Sequence, residues 1–142
     1  MRYKTASPYF PESDIKKILQ STRKILEGDG LLSMGNNVRR FESLFSSYIG
    51  SEFSVATNSC SGALEVVLSA LNISFGDEVI VPTQTFIATG SSVSKVGAKP
   101  IFCEVNRNFL IDTNDLKRKI TSKTKAVIIV HFAGLILEEI LE

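Results

Sequence analysis

Cysteine, histidine and net charge are all scarce in this chain. The two cysteines, Cys60 and Cys103, lie in apolar segments, which excludes a disulfide-stapled scaffold and leads us to expect a reduced, cytoplasmic setting. His131 is the only histidine, so neither a histidine-based metal set nor a hydrolase triad can be assembled, and it reads as structural or as a group supporting a site. Sixteen basic against fifteen acidic residues leave a net charge of +1 with no block of one sign, which excludes the electrostatic footprint of a nucleic-acid or anionic-membrane binder. Residues 1–10 lack the charged start and continuous apolar stretch of a secretory leader. The longest apolar run, 126–137, is broken by His131 and Gly134 and falls short of the roughly 18 residues that a membrane span needs. Neither G-x-x-x-x-G-K-[ST] nor G-x-G-x-x-G occurs, so a Walker loop and a dinucleotide fingerprint are excluded too.

What is present is the make-up of one soluble globular unit: 142 residues, 44% hydrophobic and 22% charged. An extended arm ending at Pro11 leads into an amphipathic helix with Ser13 as its expected cap, Ile15, Ile18, Leu19, Ile25 and Leu26 on one face, and Gly28 beyond its end. After a loop over 29–35, Asn36 or Asn37 is placed to cap a second helix that carries Val38, Phe41, Phe45 and Tyr48 on one side and closes at Gly50. From there the pattern alternates. Strands are expected over 53–57, 78–81, 100–105 and 126–130, with helices over 61–71, 85–95 and 113–120 between them. Such a series predicts an α/β fold with a mostly parallel sheet and helices on its faces. The last strand is apolar at every position, which predicts a place in the middle of that sheet.

Two segments at strand ends have the residue types for ligand chemistry. In Thr57-Asn58-Ser59-Cys60-Ser61-Gly62-Ala63 a strand gives way to a helix through small hydroxyl residues. The free N–H groups and dipole of such a helix start bind anions, Ser59 and Ser61 can add hydroxyl donors, and Gly62 permits close approach. The plainer reading is that Asn58 and Ser59 cap a buried helix, and taken alone the segment favours it. The second segment is Pro82-Thr83-Gln84-Thr85-Phe86-Ile87-Ala88-Thr89-Gly90, at the strand edge where ligands of parallel sheets bind. Phe86 there is able to stack on a flat ring or to serve as core. Asp77 and Glu78 read as a solvated turn, and Ser122 with Lys125 as a chance S-x-x-K match in the polar lead to the last strand.

Taken in order, a longer set of segments resembles one family: Gly35-Asn36-Asn37-Val38-Arg39-Arg40-Phe41-Glu42, Asn58-Ser59-Cys60-Ser61-Gly62-Ala63-Leu64, Gly76-Asp77-Glu78-Val79-Ile80-Val81-Pro82, Thr85-Phe86, Gly97-Ala98-Lys99-Pro100, Ile111-Asp112 and Val130-His131-Phe132-Ala133-Gly134. This is the order seen in sugar aminotransferases of the DegT/DnrJ/StrS type. The resemblance implies an incomplete aspartate-aminotransferase-like (fold type I) large domain, with residues 1–34 as arm, helix and active-site loop and 35–142 as the first part of the cofactor-binding domain. It implies pyridoxal 5'-phosphate as cofactor, held by Ser59, Cys60, Ser61 and Gly62 at its phosphate and by Phe86 against its ring. It also implies transfer of an amino group, commonly from glutamate, to a nucleotide-linked keto sugar, in an intact enzyme that is a homodimer. The lysine that carries the cofactor and the aspartate that pairs with its ring nitrogen match positions beyond Gly134, so the chain is expected to be a fragment that is inactive alone. Residues 135–142 also depart from the family's polar, proline-containing link. Three alternatives stay open: a non-catalytic module that assembles with a full-length paralogue, an α/β domain that binds some other phosphorylated ligand at the Ser59 to Gly62 turn, and a fragment of a related sugar dehydratase. In fold type I, moreover, the strand matching 53–57 pairs with a late strand, so only the strands at 78–81 and 100–105 are expected to be neighbours, leaving apolar edges exposed.

Overall fold

Residues 8–29 and 31–138 are described here by a computed structural model. They fall into two compact units, divided between Ala56 and Thr57.

In the first unit, helix α1 spans Glu12–Lys24, with Glu12 and Asp14 in its first turn and Arg23 and Lys24 in its last, matching the helix dipole at both ends. Pro11, and not Ser13, is the residue before the helix; its carbonyl accepts from Asp14 N at 2.9 Å and Ile15 N at 3.1 Å. The proline ring presets the extended entry, and its carbonyl takes the Asp14 amide that a hydroxyl cap would otherwise accept. A π-helical turn, Ile25–Asp29, follows, and Gly28 breaks it with φ of 96°. Helix α2 spans Asn36–Ile49; Gly35 takes the cap position expected for Asn36 or Asn37, and Gly50 ends the helix in the left-handed region (φ 73°). Neither helix has a buried residue: Leu19 is 64% and Phe41 58% exposed.

The strand expected over 53–57 is not formed. A strand is defined by backbone bonds to a neighbour, and among the described residues no segment pairs with this one. It is tied to side chains of α2 instead: Ala56 N donates to Glu42 Oε1 at 2.8 Å, and Ser46 Oγ to Ser54 Oγ at 2.9 Å.

The second unit contains the sheet. In chain order it comprises α3 (Cys60–Ala70), β1 (Glu78–Pro82), α4 (Ile87–Lys95), β2 (Lys99–Cys103), α5 (Thr113–Lys119), β3 (Thr124–Val127) and a 3-10 turn at Phe132–Gly134. The strands lie in the order β2-β1-β3, all parallel, in agreement with the expected α/β class. The pairing corrects one expectation. β3 is a direct neighbour of β1, with Glu78 opposite Thr124, Val79 opposite Ala126 and Ile80 opposite Val127 across a register irregularity, and Ile128 N extends the ladder to Ile80 O at 2.9 Å. The strand in the middle is therefore β1, whose Val79, Ile80, Val81 and Pro82 are buried, whereas residues 126–130 are only half-buried at an edge. An apolar run shows that both faces of a strand can be covered; it does not say which neighbour covers them.

The alternation along β1 divides the core in two. Val79 and Val81 point into a cluster with Leu68, Ile73, Val93 and Ala98 beneath α3 and α4. Ile80 points the other way, into Cys103, Leu110, Ile111 and Leu137. Each such fully buried side chain stabilises the fold by roughly 1.5–3 kcal/mol. Among the described residues no helix is long and apolar enough to cross a membrane.

Candidate functional site

Because α3 returns into β1 and α4 into β2 through short turns, and β1 and β2 are parallel, both helices begin at the carboxyl end of the sheet. Ligands of open α/β sheets bind at that edge. It carries both segments singled out from the sequence.

At the start of α3, Ser59 is the cap residue, extended at φ −164° and ψ 157°, and Gly62 N donates to its Oγ at 3.1 Å. Its carbonyl accepts from Ala63 N at 3.0 Å and from Thr57 Oγ1 at 2.9 Å, and its hydroxyl reaches Asn58 Oδ1 at 3.4 Å. The capping role is thus observed directly. The amides of Cys60 and Ser61, the first two of the helix, have no carbonyl one turn earlier to bond and are available to an anion. A Cβ on Gly62 would stand 2.9 Å from Asn58 Oδ1 and 3.4 Å from Ser59 Oγ, so any side chain there displaces the amide group that borders the cradle. Ser59 and Cys60 are exposed and Ser61 and Gly62 half-buried, an accessible arrangement that fits a phosphate.

Phe86 stands on a separate segment, just before α4, with an extended backbone (φ −69°, ψ 143°) and a ring 74% exposed. It is not core. With Phe102, Pro100, Ile87 and Gly90 it lines an open hollow of about 410 Å³. Four of the expected residues, Ser59 to Gly62, are therefore contiguous on one helix start, and the fifth lies at the same sheet edge on the next crossover.

The remaining candidates have structural contacts. His131 is exposed, and its Nδ1 accepts from Leu137 N at 3.4 Å. Asp77 closes the turn before β1 by accepting from Ser74 N at 3.0 Å, and Glu78 accepts from Thr121 Oγ1 at 2.7 Å. Among the described residues no group of three or more His, Cys, Asp or Glu is placed to hold a metal.

One charged cluster went unread in the sequence. Asp115, 6% exposed, accepts from Glu104 N at 2.8 Å, from Arg118 at 2.9 Å and from Lys119 Nζ at 2.8 Å, tying α5 to the end of β2. The Lys119 ammonium, followed by the Glu104 amide, holds the Asp115 carboxyl far below the usual carboxylate range, and the same contact raises Lys119. Burial, and then Asp115 beside it, pushes the Cys103 thiol up to about 11, which makes it inert. The available signal was the 115, 118, 119 spacing on a helix started by Asp112, whose carboxylate accepts from Asn114 N and Asp115 N at 2.9 Å.

The sequence model of the DegT/DnrJ/EryC1/StrS aminotransferase family matches residues 12–140. The spore coat polysaccharide biosynthesis protein SpsC of Bacillus subtilis is 41% identical over 120 residues, 84% of this chain and 31% of that protein. The dTDP-3-amino-3,6-dideoxy-alpha-D-galactopyranose transaminase of Aneurinibacillus thermoaerophilus is 38% identical over 120 residues, 84% of this chain and 33% of the relative. Spr1654 of Streptococcus pneumoniae, solved in apo, pyridoxal phosphate (PLP) and pyridoxamine phosphate (PMP) forms, superposes with a TM-score of 0.83 at 32% identity, covering 92% of this chain and 32% of that one. The chain thus spans about a third of the length of the proteins it matches. Its parallel sheet with flanking helices is part of the fold type I architecture of these aminotransferases. By sequence over nearly its whole length and by fold, the chain belongs to the DegT/DnrJ/EryC1/StrS aminotransferase family, whose cofactor is pyridoxal phosphate.

Proposed function

We propose that this chain contributes the phosphate cradle and the ring-facing aromatic residue of a pyridoxal-phosphate-dependent aminotransferase that passes an amino group from glutamate to a nucleotide-linked keto sugar. The observation that carries the reading is the start of α3, where a capping serine, two free amides and a glycine converge at the carboxyl edge of a parallel sheet. When bound, the cofactor supplies the electron sink for amino-group transfer. The chain's own part is to bind and orient. The amides of Cys60 and Ser61 and the hydroxyl of Ser61 would hold the phosphate, Ser59 would keep the helix start in register, and Phe86 would cover one face of the ring. The relatives' names, a polysaccharide biosynthesis protein and a deoxysugar transaminase, support a sugar substrate.

On this reading residues 1–34 furnish an arm and active-site loop and residues 35–142 the first part of the cofactor-binding domain of a cytoplasmic homodimer. The 142 residues by themselves bind but do not catalyse, because no lysine among them matches the family's covalent anchor. PMP is the probe of choice for the 142-residue chain, since it lacks the aldehyde that reacts with surface lysines. Titrated by fluorescence, it should bind about tenfold more tightly than pyridoxamine, which lacks the phosphate, and Gly62→Glu should abolish the difference through bulk and like charge. Equal affinity for the two compounds would refute the cradle.

A further inference from the structure

The structure holds Phe86 by a device that the residue itself does not supply. Its ring is 74% exposed, so apolar packing does not fix it, and as the residue at the cap position of α4 it has no side chain able to accept from the helix start. Thr89, one turn into α4, is 6% exposed, and a hydroxyl so buried requires a partner. That partner is Thr85 Oγ1, at 2.8 Å, on the residue immediately before Phe86. Thr89 also donates its backbone N–H to the Phe86 carbonyl at 3.0 Å. One buried residue thus binds the residue before Phe86 through its hydroxyl and Phe86 itself through its amide.

We infer that Thr89 is a positioning residue, and that the Thr85–Thr89 hydroxyl pair is a latch which sets how Phe86 is presented at the carboxyl edge of the sheet. The functional consequence rests on the reading of Phe86 as the ring-facing residue; the latch does not. In helices a threonine hydroxyl more often bonds a carbonyl one turn back, which leaves the preceding loop free. Here the hydroxyl reaches a side chain in that loop, so its loss frees the loop without removing a bond of the helix ladder. Valine matches threonine in shape, and serine keeps the hydroxyl without the methyl. Those two replacements separate the hydrogen bond from the packing.

The sequence contains no tryptophan, so Phe86→Trp in the 142-residue chain places a single indole at the position in question. In that background Thr89→Val should lower the indole anisotropy and raise hydrogen exchange at the amides of residues 85–88 by about fivefold, the loss of one ordinary hydrogen bond, while Thr89→Ser stays near the parent. Thr85→Val removes the same bond from the loop side, and should give the same change with no further effect when combined with Thr89→Val. It also serves as the test should Thr89→Val fail to fold. Equal behaviour of the valine and serine variants, or additive effects of the two valines, would overturn the latch. PMP affinity is read in parallel: fivefold weakening in Thr89→Val restored by Thr89→Ser supports positioning of the ring, and unchanged affinity in a chain with a loosened loop overturns it. If even the parent chain does not distinguish PMP from pyridoxamine, the cofactor reading fails, while exchange and anisotropy still decide the latch.

Discussion

The two units of this chain share an apolar, periodic sequence and use it differently. In Glu12–Lys24 and Asn36–Ile49 the apolar stripe is regular, yet no residue is buried; in Thr57–Glu142 shorter elements bury Val79, Ile80, Val81, Val93 and Cys103 completely. The difference lies in what covers the stripe. A central strand receives cover on both faces from elements nearby in sequence, whereas the helices of the first unit present theirs to solvent. Periodicity therefore identifies the face that can be buried, and only topology says whether it is.

The sharpest way to break this comparison is to cut the same kind of side chain from each unit. Ile80→Ala should cost about 2–5 kcal/mol in urea unfolding, because the cavity opens inside the buried cluster of Cys103, Leu110, Ile111 and Leu137. Leu19→Ala, at a site 64% exposed, should change the same measurement by no more than about 0.5 kcal/mol. Comparable losses would mean that the two units are not distinguished by burial.

Next in expected size is the clamp between α5 and β2. Asp115→Asn removes the charge that Lys119 and Arg118 bind and should lower the thermal midpoint more than Asp14→Asn, whose Lys17 contact at 3.8 Å is exposed. The pH dependence has a definite sign. The Asp115 carboxyl is held low in the folded chain, so its contribution is present above the ordinary carboxylate pKa and is lost as pH falls through the folded value. The Cys103 thiol is held high, so its contribution is present below about 9 and is lost as pH rises toward about 11. Asp115→Asn should flatten the acid limb, and Cys103→Ala the alkaline one. Smallest of the three, Ser59→Ala should cost about 1 kcal/mol by removing the cap of α3.

Most elements of both units were legible because they are bounded by local signals. Gly50 ends α2 where a left-handed residue was expected, and Ser59 caps α3 where the hydroxyl turn pointed. Helix starts were less so: Pro11 and Gly35 precede helices for which Ser13 and Asn36 or Asn37 had been expected as caps, because backbone conformation sufficed. The segment 53–57 has no strand partner among the described residues, and β3 pairs with β1 where only β1 and β2 were expected as neighbours. Pairing is a long-range choice, and composition shows only that a segment can be extended. At the candidate site, Ser59, Cys60, Ser61, Gly62 and Phe86 were visible as residue types at turns that the structure places at the starts of α3 and α4. The Asp115 clamp and the Thr85–Thr89 bond were not, since each depends on a side chain turning toward one particular neighbour.

The most direct test of the account is the amide spectrum of the nitrogen-15-labelled chain as PMP is added. The amides of Cys60 and Ser61 should shift most, with Gly62 following, and pyridoxamine at the same concentration should leave them in place. Shifts centred on any other part of the chain, with these two amides unmoved, would contradict the assignment of the α3 start as a phosphate cradle.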